Sequence, residues 1–566
     1  MAKSDQGVIS SADLIVSGVP VYGATRLTSP ADAIAIKDGR VHEVGRQDTI
    51  NRYKGADTKI IQPQKGCVIP GLIDGHAHMD REGLKKILPS LDGAESKEAV
   101  LDAILLEVAK KKPGEWIVTM PIGTAPSYVE TQEFDESGYP DRHDLDQIAP
   151  DNPVYIRAIW GYWRARAPLV SVANSKALEL AGVGPKTPPP SDQVEIAKDA
   201  KTGLPTGVFL ENTMMPIVEL TLLSCVPNFT YDDRLQGLRR SMSIYNSFGT
   251  TSVFEGHGVA SDVITGYHTL SQQGKATVRA NLILSPRWSG VTETGLAEHL
   301  RDLADWLARQ GYNSEFLNIS GLYAEIDEEK ANWVRASAAP QTGWAGFNYD
   351  CGLPRKALKE VLLEAARLKM RVSCIFATVA ELFEEVHREV SIDGLRWSWG
   401  HLATLTDDEI KRARDLGLVM VTHTNRHIRK MGSNHRQRLG AEMENQIVPL
   451  RRLLDAGVPV SLATDNVPPT LFNPIYHAVA RRDENTGEVV APEQKLSREE
   501  ALHCATWGGA YLAGQENHVG TLEPGKLADL VLLNDDLMSV PEDEIPNLHA
   551  EQTIVNGKIV FENNAS

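Results

Sequence analysis

The chain has 566 residues, of which 42% are hydrophobic and 23% are charged, and its formal net charge is −17. This length predicts a globular protein with two or three structural units. The acidic excess argues against nucleic acid or an anionic membrane as a partner, and no apolar run is long enough to span a bilayer.

The five cysteines are scattered along the chain, and no two of them form a Cys-x-x-Cys pair. An odd number of dispersed cysteines is typical of reduced thiols. The first residues lead into a strand-like segment rather than into the apolar centre of a signal peptide. We therefore predict a cytoplasmic location, and the sequence leaves a homo-oligomer open.

Both ends of the chain contain short strands. Residues 8–66 hold β-rich runs with an Asp-Gly hairpin signal at Asp38, and the C-terminal end holds a strand and a hairpin with an Asn-Gly tip at Asn556. Neither end has enough strands to bury a sheet face alone. We therefore predict that residues 1–70 and 515–566 pair into one small β-sandwich.

The stretch 68–80 follows the first of these regions and carries the clearest chemical signal. An apolar run reaches an Asp-Gly pair and then delivers His76 and His78. In a strand, residues two apart point to the same face, so the two imidazoles lie side by side at a strand end. Neutral imidazole is a common ligand of zinc. The pair predicts half of a metal site, and two polar residues at an ordinary strand exit are the alternative.

Between the two ends, strand-like and helix-like segments alternate, which is the pattern of parallel β/α units. Two helix candidates, 358–368 and 407–416, carry apolar residues three and four apart. The eight strand candidates are 68–73, 251–255, 278–284, 317–322, 372–376, 396–401, 419–422 and 458–463. Eight is the number that a TIM barrel requires. We predict an α/β fold with a (β/α)8 TIM barrel over residues 71–514.

The segment at about 85–235 does not fit between two strands of a plain barrel. Because it leaves after the first barrel strand, it starts from the face where barrel enzymes keep their active sites. We predict that this insertion is a cap over the site, with a decorative subdomain as the alternative.

Aromatic and cationic side chains form a predicted substrate-binding set. They are Trp160, Trp163, Arg164 and Arg166 in the insertion, and Trp397 and Trp399 in the sixth strand candidate. Such residues can form an aromatic wall with an arginine for a carboxylate. Packing of the cap on the barrel explains the tryptophans at least as well, whereas the two arginines are harder to explain as core.

The nine residues from Pro70 to His78, PGLIDGHAH, resemble the first barrel strand of the amidohydrolase superfamily. The segments 174–182 and 520–530 resemble one branch of it, the YtcJ-like amidohydrolases that include N-substituted formamide deformylases. The resemblance covers nearly the whole chain. It implies the TIM barrel, the order of its strands and the β-sandwich built from both termini, together with metal-dependent hydrolase chemistry.

Two further residues take their roles from this resemblance. Asp465 follows the last strand candidate, where the superfamily has an aspartate that binds the metal and takes the proton of the attacking water. A metal lowers the pKa of bound water toward 7, so a nearby carboxylate can complete its deprotonation. His401 matches the sixth-strand histidine, which binds a second metal or hydrogen-bonds the reacting carbonyl. For Asp465 the alternative is a helix cap or a turn residue, and for His401 it is a strand-end histidine whose hydrogen bonds are satisfied within the protein.

Two expected ligand positions do not match the superfamily. The fourth strand has Asn318 where many members have a lysine, and the fifth strand has no histidine, with Cys374 as its nearest ligand type. His423 and Glu255 are candidate substitutes, and each is equally explained as a polar residue at a wet barrel mouth. A catalytic zinc often has only three protein ligands plus water. We therefore predict about one divalent metal per chain, zinc first and manganese or iron otherwise.

The first functional hypothesis is a metal-dependent hydrolase that cleaves an amide-like C–N bond of a small molecule with a metal-activated water. Its metal ligands are His76, His78, Asp465 and His401, with Asp465 and His401 as catalytic residues. A metal-assisted isomerase, decarboxylase or ring-opening enzyme on the same fold is the alternative chemistry. A non-catalytic binding or regulatory protein is the alternative of another class, because a fold does not settle a function.

Overall fold

The computed structural model describes residues 10–23, 31–125, 128, 138–159, 167–310, 312–327, 330–338 and 344–563. Eight strands form a parallel barrel at its centre, each paired with the next along the chain. They are Leu72–Asp74, Thr250–Val259, Arg279–Leu284, Leu317–Tyr323, Arg371–Cys374, Ser398–Leu402, Val419–Thr422 and Val460–Ser461. The last strand meets the first through a 3.0 Å hydrogen bond from the Gly75 N–H to the Leu462 carbonyl. The predicted TIM barrel is confirmed, and every strand candidate contributes to it.

Helices alternate with the barrel strands and cover them. They are Tyr231–Ser247, Ser261–Gln272, Leu296–Arg309, Lys330–Ala338, Arg355–Arg367, Ala377–Glu389, Asp407–Asp415, Gly432–Leu439, Leu450–Asp455, Phe472–Ala480, Arg498–Ala505 and Trp507–Ala513. Three of them begin with capping boxes, at Thr230, Thr406 and Ser497. In this arrangement two backbone N–H groups that lack a helical partner are satisfied by side chains. Among the described residues, no helix is both long and apolar enough to cross a membrane.

Strands from both ends of the chain form one eight-stranded sheet. They are Leu14–Val21, Ala31–Lys37, Arg40–Gly45, Lys59–Ile61, Val68–Pro70, Leu530–Leu533, Ala550–Val555 and Lys558–Glu562. The antiparallel pairing of Val68–Pro70 with Leu530–Leu533 joins the two ends. Leu14 from one end and Ile554 from the other belong to the same apolar core. The two ends therefore pair, as the sequence predicts.

The strand candidate 68–73 divides at Gly71. Its first part, Val68–Pro70, belongs to the terminal sheet, and its second part, Leu72–Asp74, belongs to the barrel. A Cβ atom at Gly71 would lie 2.2 Å from Oγ1 of Thr251, so the close approach of the second barrel strand requires glycine here. One short apolar run thus connects both parts of the fold and delivers the two histidines.

The insertion forms a sheet of its own with five strands. They are Ile117–Thr119, Val154–Ile156, Leu169–Ala173, Val194–Lys198 and Pro205–Glu211, and the helices beside them are Lys97–Val108, Arg142–Ile148 and Ser175–Leu180. After its last strand the insertion reaches the barrel mouth, where Met214 and Met215 line a cavity together with barrel residues. This contact is what the cap prediction requires.

Candidate metal centre

His76 and His78 follow the first barrel strand and are positioned by Asp74. Oδ1 of Asp74 accepts hydrogen bonds from the backbone N–H groups of His76 (3.1 Å) and Thr464 (3.0 Å), and Oδ2 accepts one from Oγ1 of Thr464 (2.5 Å). Burial raises the pKa of the Asp74 carboxyl to about 7, against the effect of these hydrogen bonds. This carboxyl group therefore ties the end of the first strand to the end of the last.

Four histidines surround the carboxylate of Asp465. Nε2 of His78 lies 2.8 Å from Oδ1, and Nε2 of His423 lies 3.1 Å from Oδ2. Nε2 of His76 is 3.8 Å from Oδ1, and Nε2 of His401 is 4.0 Å from Oδ2. The Nε2 atoms of His76 and His401 are 3.3 Å apart. The barrel thus brings together all four ligands that the sequence predicts, and His423 joins them.

The spacing of these atoms fits a zinc ion. Two ligands that each lie about 2.1 Å from a tetrahedral zinc are roughly 3.4 Å apart, and the Nε2 atoms of His76 and His401 are separated by 3.3 Å. Over the described ranges, ligand atoms of His76, His401 and Asp465 all lie within 4.8 Å of one another. The residues present therefore fit a divalent metal.

Burial keeps the imidazoles of this cluster neutral. The pKa values of His76, His78 and His423 lie well below the usual range, and that of His401 is also lowered, because burial disfavours the charged form. Burial acts to raise the pKa of Asp465, but the facing His423 and His401 outweigh it, so this pKa is lowered. Neutral imidazoles and an ionised carboxylate are the states in which these groups bind metal.

A cavity of about 360 Å³ opens at the cluster. Arg81 and Arg426 line it together with His76, His78 and Asp465. Its apolar lining consists of Met214, Met215, Phe347, Tyr349, Ile375 and Phe376. The volume lies in the range of small-molecule sites. The centre therefore faces a space that is large enough for a small organic molecule with a polar and an apolar part.

Glu255, the other candidate substitute, lies on the opposite side of His78 from Asp465. Its Oε1 accepts hydrogen bonds from the backbone N–H of Met79 (2.7 Å) and the hydroxyl of Tyr267 (2.9 Å), and its Oε2 lies 3.9 Å from Nδ1 of His78. Glu255 is buried, and it is not among the residues that line the cavity. Nδ1 of His78 faces Nη2 of Arg81 at 3.1 Å, so Glu255 lies beside this predicted ligand without a hydrogen bond to it. Ligand atoms of Glu255, His78 and Asp80 all lie within 4.8 Å of one another.

Cys374 does not join the cluster. Its side chain belongs to the apolar core, and its thiol donates a 3.8 Å hydrogen bond to the carbonyl of Phe376. Burial raises the pKa of this thiol far above its usual value, whereas a metal binds the thiolate. The structure thus contradicts the prediction of Cys374 as a ligand, because its strand directs the thiol into the core.

Trp397 and Trp399 are also core residues. The ring of Trp397 packs 4.7 Å from that of Phe383 on the helix Ala377–Glu389, and its Nε1–H donates to the carbonyl of Met370 (3.0 Å). Trp399 belongs to the same apolar core. The substrate wall predicted for these two is wrong, because strand alternation turns both rings toward the outer helices. Trp160, Trp163, Arg164 and Arg166 lie outside the described residues, so their role stays a prediction.

Sequence reasoning missed His257. This residue lies in the second barrel strand, and its ring centroid is 6.2 Å from that of His78 and 4.3 Å from that of Phe347. Burial lowers its pKa to about 3. The available signal was the Gly-His-Gly triplet. A Cβ atom at Gly256 would lie 2.9 Å from Nδ1 of His76, so glycine is needed for the rings to approach.

Comparisons with known proteins agree on one protein family. The model of the amidohydrolase family matches residues 64–561. The chain is 25% identical over 576 residues to the N-substituted formamide deformylase of Arthrobacter pascens, covering 98% of this chain and 99% of that protein. It is 24% identical over 552 residues to the putative amidohydrolase YtcJ of Bacillus subtilis, covering 94% and 96% respectively.

A solved structure shares the fold. The crystal structure of an uncharacterized metal-dependent hydrolase from Pyrococcus horikoshii OT3 superposes with a TM-score of 0.66 at 20% sequence identity. The match covers 94% of this chain and 99% of that one. The barrel and the sheet built from the two termini therefore form one architecture that extends over nearly the whole chain.

Proposed function

This chain belongs to the amidohydrolase family, and on that premise we propose that it hydrolyses an N-substituted formamide or a similar small amide at the centre around Asp465. As a family member it is a metal-dependent hydrolase that acts on C–N bonds. The convergence of His76, His78 and His401 on Asp465 is the observation that supports the site. The relationship to a protein named N-substituted formamide deformylase supports the substrate class.

The residues at the centre have separate roles in this reaction. A divalent ion held by His76, His78, His401 and Asp465 would polarise the amide carbonyl and acidify a water molecule. Asp465, ionised and next to that position, accepts the proton of the attacking water and passes it to the leaving nitrogen. His423 orients this carboxylate from 3.1 Å. The products of a formamide would be formic acid and the free amine.

The finer assignments are one zinc ion per chain and a reducing, cytoplasmic setting. Zinc is favoured because imidazole nitrogen and carboxylate oxygen are its usual ligands in catalytic sites. One ion is favoured because the fourth barrel strand has no lysine and the fifth has no histidine. Asn318, predicted to stand at the lysine position, lies instead at the start of the fourth strand, away from the strand end that faces the centre. All five cysteines are free thiols, which supports the reducing setting.

Metal removal and replacement test the proposal. We expect purified protein stripped with a chelator to lose hydrolysis of N-substituted formamides, and to regain it with about one zinc per chain. Manganese and iron(II), added to the same stripped protein, serve as comparisons for the identity of the metal. Two ions at full occupancy would contradict the proposed count, and hydrolysis that survives complete metal removal would contradict the mechanism.

A further inference from the structure

Two methionines bring the insertion into contact with the cavity. Met214 and Met215 follow the last strand of the insertion, are half-buried, and line the cavity that opens at the metal centre. Phe347 and Tyr349, with ring centroids 5.5 Å apart, line it as well. A thioether is flexible and polarisable and makes favourable contacts with aromatic rings. These side chains have the composition of a wall that receives an apolar or aromatic group.

Arg335 holds the backbone that carries the methionines. Its side chain is fully buried on the helix Lys330–Ala338, which comes after the fourth barrel strand. Nη2 donates to the carbonyl of Met215 and to Oγ1 of Thr213, both at 2.7 Å, and Nε donates to the carbonyl of Pro216 at 3.3 Å. A guanidinium with three acceptors on one short segment fixes that segment against the barrel.

Glu211 closes the same segment at its base. Its buried carboxylate accepts hydrogen bonds from the backbone N–H groups of Ile217 and, at 3.0 Å, of Val218. Residues 212–216 therefore form a loop that is tied together by Glu211 and tied to the barrel by Arg335. Two independent anchors on one short loop are consistent with a wall of defined shape.

The polar side chains on this part of the lining already have protein partners. Oδ1 of Asn332 accepts from Arg335 at 2.8 Å. The amide of Asn348 donates to the carbonyl of Ser285 at 2.8 Å. With these amide groups engaged, Met214, Met215 and the rings of Phe347 and Tyr349 are the main contacts for a ligand group that enters beside them.

We propose that Met214 and Met215 form a subsite for the neutral apolar or aromatic N-substituent of the amide, with Arg335 as the positioning residue of that subsite. The inference rests on the proposed function, since it places the reacting amide at Asp465. It names the substrate class as amides of hydrophobic amines.

Methionine methyl resonances test the subsite without any turnover. The protein has 11 methionines, and Met214→Leu and Met215→Leu assign the two signals in metal-loaded enzyme with ¹³C-labelled methionine methyl groups. The probes are 4-phenylbutan-2-one and butan-2-one, which keep a carbonyl group, lack a C–N bond and differ only by the ring. We expect the phenyl ketone to shift both signals and butan-2-one to leave them in place. Signals that stay unmoved up to the solubility limit would overturn the subsite.

Kinetics on two formamides separates the subsite from the reaction. For Met214→Ala/Met215→Ala we expect KM for N-(2-phenylethyl)formamide to rise about tenfold, a much smaller effect on N-methylformamide, and retained metal content. An equal loss on both substrates would contradict the inference. If no formamide is hydrolysed, the proposed function fails, while the methyl shifts still decide the subsite.

Two variants test the positioning role of Arg335. Arg335→Lys keeps a charge but cannot reach three acceptors, and Thr213→Val removes one acceptor with little change in shape. In both, we expect the preference for the phenyl-substituted formamide over N-methylformamide to fall, more in Arg335→Lys, with metal content retained. A soluble Thr213→Val protein with wild-type preference and wild-type methyl shifts would remove Arg335 from this role.

Discussion

At the residue scale, the backbone of the metal centre is strained and is held by hydrogen bonds across the barrel. His401, Asp465 and Asn466 have φ values of 55°, 51° and 59°, a region that costs energy for residues other than glycine. The N–H of Asp465 donates to the carbonyl of His76 at 3.0 Å. The amide of Asn466 accepts from the N–H of His78 and donates to its carbonyl, both at 2.9 Å. Three residues with this strained backbone thus stand together at the place where ligands must converge.

The first prediction separates metal binding from proton transfer. Asp465→Asn keeps an oxygen ligand but loses the base, so we expect metal to be retained while kcat falls by roughly two to four orders of magnitude. His78→Ala, which removes a predicted ligand 2.8 Å from the same carboxylate, should lower metal content and activity together. Elemental analysis and kinetics on the same preparations make the comparison. Activity untouched in His78→Ala would exclude this histidine as a ligand.

At the element scale, the site depends on how closely the first and last barrel strands approach. Gly75 lies between them, and a Cβ atom there would be 2.3 Å from Oγ of Ser461 and 3.0 Å from the carbonyl of Leu462. The adjacent Asp74 bridges the same two strands through Thr464. Any side chain at Gly75 therefore separates His76 from Asp465.

The second prediction follows from this contact. Gly75→Ala should cost roughly 1–3 kcal/mol of unfolding free energy, because the added methyl group overpacks the strand interface, and it should also lower metal occupancy. Gly184→Ala is a matched control, since a Cβ atom at Gly184 meets nothing within 4 Å. Urea denaturation and metal analysis of both variants provide the measurement. Wild-type stability and metal content in Gly75→Ala would contradict the role given to strand closure.

At the scale of the whole molecule, a buried ion pair connects the barrel to the sheet built from the two termini. Nε and Nη2 of Arg279, in the third barrel strand, donate to the two carboxylate oxygens of Asp529 at 2.7 and 3.0 Å. Asp529 also accepts from the backbone N–H of Asn556 at 2.9 Å. Asp529, which belongs to the C-terminal segment 520–530, thus binds the barrel. This contact is a structural explanation for the aspartate in that segment.

The third prediction concerns this pair. Asp529→Ala should destabilise the protein by at most about 3–5 kcal/mol, because it leaves the buried Arg279 guanidinium with the half-exposed Glu315 as its remaining charged partner. The double variant Arg279→Met/Asp529→Leu should recover much of that loss, since no unpaired charge remains. Unfolding free energies of the three proteins check this. A double variant less stable than Asp529→Ala would show that the pair is not the source of the effect.

The fourth prediction concerns the sheet shared by the two ends. Deleting residues 515–566 removes Leu530–Leu533, the antiparallel partner of Val68–Pro70. The edge left exposed pairs readily with other chains, so we expect insoluble protein. Because the same run continues into the first barrel strand, any soluble fraction should also have reduced metal content. A soluble and folded truncation with full metal content would contradict this dependence.

The sequence alone determined the features that depend on residues close to one another in the chain. The barrel strands are short runs that local pattern makes candidates, the resemblance to the amidohydrolase superfamily fixed their order, and the barrel confirms them. His76 and His78 were found because residues two apart share a face of a strand. The resemblance of the whole chain predicted the hydrolase class, and membership of the amidohydrolase family confirms that prediction.

Tertiary structure decided which distant residues meet. His257 and His423 reach the centre, Cys374 and Trp397 turn into the core, and Met214 reaches the cavity from the insertion. The physical reason is that barrel closure selects which side of each strand end faces the cavity. The anchoring of the loop 212–216 by buried side chains such as Arg335 decides which residues cover the cavity. Both depend on contacts between segments far apart in the chain, which local periodicity does not encode.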